Sequence, residues 1–204
     1  MPVKKAKSDE SLEIEDIGYS FSENLARKLE AMPKNFTLLV IVDSENYNET
    51  VSGIVENLAV WKKLKGVYIT ANRQSLQILE LFSKSIKGFE ESSLYFLDCA
   101  SKNGKGSVKN ISYCNPQNLI DINIQASQAL DTLPSGSFIM LDSISTLAIY
   151  NDEKILKKFV KSVVEKCYSR KVNGIFLYNL TKSNKEFMED IASFFDDTIN
   201  AGKI

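Results

Sequence analysis

Short runs of apolar residues alternate along this chain with longer stretches in which apolar residues return every third or fourth position. The first pattern fits strands covered on both faces of a sheet, and the second fits amphipathic helices. Tyr19 to Met32 carries Phe21, Leu25, Leu29 and Met32 at helical spacing, and Pro33 with Lys34-Asn35 ends it. Phe36 to Val42 is apolar almost throughout and reads as the first strand. A helix follows, with Val51, Ile54, Val55, Leu58 and Trp61 on one side. Gly66 to Thr70 is a second strand, and Arg73 to Ile86 a helix with Leu76, Leu79 and Phe82 inward. Ser93 to Leu97 is a third strand, ending at Asp98-Cys99. After a basic, glycine-bearing loop over Ser101 to Lys109, Asn115-Pro116 breaks the chain and Asn118 to Leu133 returns to helix. Ser137 to Asp142 is a fourth strand closing on an aspartate. Ile155 to Tyr168 has the most regular stripe: Ile155, Leu156, Phe159, Val160, Val163, Val164, Cys167 and Tyr168. Gly174 to Leu180 is a fifth strand, Lys185 to Phe195 a helix, and Asp197 to Asn200 a short last strand.

Strands alternating with helices of this length predict an α/β fold, a mostly parallel sheet with helices on both faces. The expected organisation is one such domain over 17–204. Residues 1–16, with Lys4, Lys5 and Lys7 followed by Asp9, Glu10, Glu13, Glu15 and Asp16, read as a flexible tail.

The most informative stretch is the turn after the first strand. A strand, a polar loop and a helix make the unit in which α/β proteins cradle phosphates. Laid on G-x-x-x-x-G-K-[ST], residues 43–50 keep the register but not the chemistry. Asp43 stands at the first glycine, Asn48 at the second and Glu49 at the lysine; only Thr50 fits. Phosphate loops need glycines so that backbone N–H groups converge on the anion without a Cβ in the way. Asn48 tolerates a left-handed conformation, which would preserve the turn. Glu49 puts an anion where a cation would meet the phosphates. Two unit charges about 4 Å apart interact by roughly 4 kcal/mol at an effective dielectric near 20, so reversing one sign swings the site by up to about twice that before screening. Asp43 and Glu45 add negative charge at the same mouth. The loop alone fits either a phosphate loop that has lost its phosphate or an ordinary polar βα turn. Tyr47 within it would plug the pocket or present an aromatic anchor to a partner.

The order of parts over roughly residues 33–200 resembles the RecA/KaiC branch of P-loop ATPases. The segments ISYCNPQNLIDINIQ and then FIMLDSIS, with Tyr150 and a long helix beyond, look in particular like archaeal RecA-superfamily proteins related to KaiC. The resemblance implies a three-layer RecA-like sheet. It implies that Asp142 matches the Walker B aspartate, which organises Mg²⁺ and water. It also implies a water-activating carboxylate after the second strand, where this chain reads Thr70-Ala71-Asn72-Arg73, with none. Two departures on different strands therefore remove ATPase chemistry. The expected function is a non-hydrolysing domain in regulation, signal transduction or protein interaction, its partner itself or an active relative. No catalytic residue and no cofactor are expected. The alternative is an ATPase using ATP and Mg²⁺ with a displaced lysine, Lys102 or Lys105; a weaker one is a nucleic-acid-associated RecA relative.

Composition narrows this further. A net charge of −1 gives no global pull toward nucleic acid or anionic membrane, so neither is expected as a partner. With no histidine, a Ser-His-Asp or Cys-His arrangement is excluded. Cys99, Cys114 and Cys167 lack C-x-x-C spacing, so no metal site is expected, and reduced thiols in a cytoplasmic protein are. Asp142 alone, without phosphates, is a weak Mg²⁺ ligand; hydrogen bonding to a neighbouring loop is expected instead. Asp98 sits at a strand end, where ligands collect, and where aspartates also serve turns. Lys102, Lys105 and Lys109 around Gly104 and Gly106 are expected to be solvated. Trp61 and Tyr68 are expected to pack in the core or at its rim.

Overall fold

The computed structural model describes residues 21–101, 109–179 and 185–201, with side chains from Leu25 onward. The charged stretch 1–16 and Lys102, Gly104, Lys105 and Gly106 lie outside the described residues. The elements, in chain order, are α1 (Phe21–Ala31), β1 (Thr37–Val42), α2 (Tyr47–Val55), β2 (Gly66–Thr70), α3 (Ser75–Ser85), β3 (Leu94–Asp98) and β4 (Ile111–Tyr113). They continue with α4 (Leu119–Asp131), β5 (Phe138–Asp142), α5 (Ile144–Leu147), α6 (Glu153–Arg170), β6 (Asn173–Asn179), α7 (Lys185–Ala192) and β7 (Asp197–Asn200). The strands form one sheet in the order β4-β3-β2-β5-β6-β1-β7, and every pairing among the described residues is parallel.

The continuous apolar character of β1 has a direct cause. Leu39 and Ile41 point into a core shared with α4, α5, α6 and α7, whereas Leu38, Val40 and Val42 point into a core shared with α1, α2 and α3. Both faces are covered, so neither parity of the strand is polar. Gly66, at the start of β2, lies under a fully buried Phe138: a Cβ there would come within 2.3 Å of the ring. Gly66→Ala is therefore expected to destabilise by about 1–3 kcal/mol through overpacking, read as a lower urea midpoint at unchanged slope.

Several expectations need correcting. Helix α3 starts at Ser75, not Arg73, and it turns Ile78 and Phe82 inward; Leu76 is 58% exposed and Leu79 only half-buried. Trp61 is 56% exposed. The helix continues from α2 through a π-helical segment, Glu56–Trp61, in which Lys62 N–H donates to Asn57 O at 3.0 Å. The wider turn rotates Trp61 off the apolar stripe that an α-helical period would have given it. Ile155 and Tyr168, at the ends of the α6 stripe, are also exposed. The three-residue strand β4, on the sheet's edge, was not expected.

Candidate functional site

The turn after β1 is shorter than the eight-residue alignment implied. Helix α2 begins at Tyr47, so only Asp43 to Asn46 connect strand to helix. Asp43 closes this turn itself: its Oδ1 accepts the Asn46 N–H at 2.8 Å. A carboxylate of the chain thus occupies a donor at the mouth, where a foreign anion would otherwise be held. Asn48, expected in a left-handed turn, is helical and exposed. Glu49 is exposed too, in the first turn of α2, where the helix dipole favours an anion. Thr50 is fully buried and donates its hydroxyl to Asn46 O at 2.8 Å. The four aligned positions therefore do not converge on a common point.

They are replaced by a buried cluster built from two strands and the start of α2. Asp142, the last residue of β5, is 1% exposed. Thr70 stands opposite it in register and Tyr68 opposite Met140, so Tyr68 and Asp142 share a face two residues apart. Two residues of strand span about 6.6 Å, the reach of a tyrosine side chain leaning along the sheet. Tyr68 donates its hydroxyl to Asp142 Oδ2 at 2.6 Å. Tyr47 reaches down from the first turn of α2 and donates to the other oxygen, Oδ1. The Arg73 guanidinium lies over the Tyr47 ring, 4.9 Å from its centre. The expectation that Asp142 would bond a loop is thus corrected: its partners are two tyrosines. Of the two fates open to Tyr47, the structure shows it buried, 5% exposed, as a plug. Tyr68 is in the core as expected, edge-on to Phe82 and tilted against Phe96, but its hydroxyl has a role that packing alone did not suggest.

The electrostatics follow from burial. Desolvation pushes the Asp142 carboxyl above the usual carboxylate range; the tyrosine hydroxyls and Arg73 pull it back only in part. Both tyrosines are pushed up, by burial first and then by the Asp142 charge. A carboxyl raised in the folded state binds its proton more tightly there. Its contribution to stability is full below the unfolded value, about 3.9, and is lost as pH rises through the folded value. Asp142→Asn is expected to remove that segment, so the variant's stability relative to wild type should improve from acid to neutral pH, as read by urea unfolding across that range.

Asp98 occupies the neighbouring strand end and has a different task. Its Oδ2 accepts from Ser75 N, Ser75 Oγ and Ser101 Oγ, each at 2.8 Å, and its Oδ1 from Ala100 N and Ser101 N, each at 2.9 Å. It anchors the start of α3 and the turn after β3, so its role is structural. Lys109 is exposed, as expected. Among the described residues no group of three or more His, Cys, Asp or Glu is placed to hold a metal ion. No helix among them is long and apolar enough to cross a membrane. Tested against Mg-nucleotide, the group that the sequence resemblance implies, the cluster does not fit. Each oxygen of Asp142 carries a tyrosine hydroxyl, Thr50 is turned inward, and an acidic side chain holds the turn.

Comparison with solved structures places the architecture. A protein of Pyrococcus horikoshii, crystallised with an unknown peptide, superimposes with a TM-score of 0.61 at 12% identity, over 87% of this chain and 82% of that one. A KaiC-like protein of the hyperthermophilic archaeon Pyrococcus horikoshii OT3 superimposes with a TM-score of 0.55 at 13% identity, over 83% of this chain and 72% of that one. The fold is RecA/KaiC-like. No protein-family model matches the chain, and no curated protein matches it. At these identities the likeness is one of fold, and chemistry rests on the residues themselves.

Proposed function

We propose that this chain is a non-hydrolysing RecA/KaiC-like domain that acts as a regulatory or interaction protein, through contacts with itself or with an active relative. The observation that carries the reading is the capture of Asp142 by Tyr47 and Tyr68. The side chain best placed to organise a metal is desolvated and committed to two internal donors. The absence of a lysine at residue 49 and of a carboxylate at 70–73 points the same way. That one similar structure was crystallised with an unknown peptide supports a protein-directed reading over a nucleic-acid one, as does the near-neutral charge.

A second reading has one observation in its favour. Arg73 places a cation at the mouth, stacked on Tyr47, and a swing of that pair would offer positive charge to a nucleotide. Phosphate release from Mg-ATP separates the two. The first reading predicts no release above a protein-free control, equally in wild type and in Asp142→Asn. Turnover by the wild type that is lost in Asp142→Asn and in Arg73→Ala establishes the second.

A further inference from the structure

Cys99 and Cys114 stand one residue past the last registered pair of β3 and β4, Asp98 opposite Tyr113. The pairing continues to that point, since Cys114 N–H donates to Asp98 O at 2.9 Å. Both side chains are buried, 4% and 7% exposed, and both line one cavity of about 470 Å³ that opens beside Asn115, Gln117 and Tyr150. Neighbouring strands lie about 4.8 Å apart. Disulfides form between Cα atoms about 4.4 to 6.8 Å apart, so registered neighbours fall inside the window. The third cysteine, Cys167, is fully buried in α6 and does not line this cavity.

We propose that Cys99 and Cys114 form a redox-active dithiol, a modification site at the edge of the sheet that small organic disulfides convert to an intrachain disulfide. The thiolate of one cysteine attacks the S–S bond of the reagent. That bond breaks, one small thiol leaves, and a mixed disulfide remains. The second cysteine attacks the protein sulfur of the mixed disulfide and expels the second small thiol. Two electrons pass from the cysteine pair to the reagent, and the two thiol protons end on the released small thiols. Both cysteines are free thiols in the resting chain; Cys114's thiol, and then burial, push Cys99 above the ordinary thiol range, which slows formation of the attacking thiolate. Closure staples β4, an end strand whose one strand partner among the described residues is β3, to the body of the sheet.

The test uses the native full chain equilibrated with hydroxyethyl disulfide and mercaptoethanol, then quenched, unfolded and alkylated for mass spectrometry. The expected result is a fall from three alkylatable thiols to one, Cys167, with a linked peptide pair carrying Cys99 and Cys114. The closure constant should exceed that of the same chain in guanidinium by at least about tenfold, because the strand register raises the effective concentration of one thiol at the other. Three alkylatable thiols, mixed adducts that persist at Cys99 or Cys114, a link to Cys167, or equal constants in folded and unfolded chain would each overturn the proposal.

Discussion

Replacing Asp98 with alanine is expected to cost about 3–5 kcal/mol, the largest effect of any single substitution considered for this chain. The carboxylate is 1% exposed and accepts five hydrogen bonds. Three donors are backbone N–H groups, of Ser75, Ala100 and Ser101, and they would be left without a partner in a largely buried turn. A hydrogen bond to a charged group contributes about 1.5–3 kcal/mol, and an orphaned buried donor costs about 1–3 kcal/mol; the terms share one carboxylate and do not add. Asp98→Asn keeps one acceptor oxygen and should recover part of the loss. Urea unfolding checks both variants. A loss below about 1 kcal/mol for Asp98→Ala, the range of an ordinary surface change, would show that the turn and the start of α3 do not depend on this side chain.

The second large effect is expected from the tyrosines. Tyr47→Phe and Tyr68→Phe together leave the Asp142 carboxyl buried without its two donors. A hydrogen bond to a charged group contributes about 1.5–3 kcal/mol, and here two are removed from one buried carboxyl. Asp142 can relieve part of this by taking a proton, so about 3 kcal/mol at neutral pH is the expected loss. The diagnostic is rescue. Adding Asp142→Leu to the double variant removes the stranded carboxyl and should return most of that stability. Were the three changes merely additive, the hydroxyls would be acting on something other than Asp142.

Much of the fold was legible because coverage on both faces makes each central strand a continuous apolar run. β1, β2, β5 and β6 announce themselves in this way, and even the short β7 fell where the sequence placed it. What was missed has local causes. β4 has three residues, too few to show a period. Ile78, one turn before Phe82, takes the inward place that the spacing gave to Leu76, because both residues lie at helical spacing from the Phe82 stripe and docking on the sheet chooses between them. Trp61 is displaced by a π-helical turn, which sequence periodicity does not encode. At the candidate site, Asp142 was legible from its place at a strand end and from the resemblance to the Walker B strand; the turn over Asp43 to Asn46, closed by Asp43 itself, was not. The Tyr68–Asp142 bond was not, because it joins residues 74 apart in sequence and depends on the register of β2 against β5. Tyr47 was singled out only because it sits beside the turn after β1; the carboxyl it meets, Asp142, ends β5.

The central claim is that the Asp142 carboxyl is taken up by the chain's own side chains, Tyr47 and Tyr68. Calorimetric titration of Mg-ATP into the purified full chain tests it most directly. The account predicts no saturable heat up to millimolar nucleotide. Saturable uptake with a micromolar Kd that disappears in Asp142→Asn would contradict it.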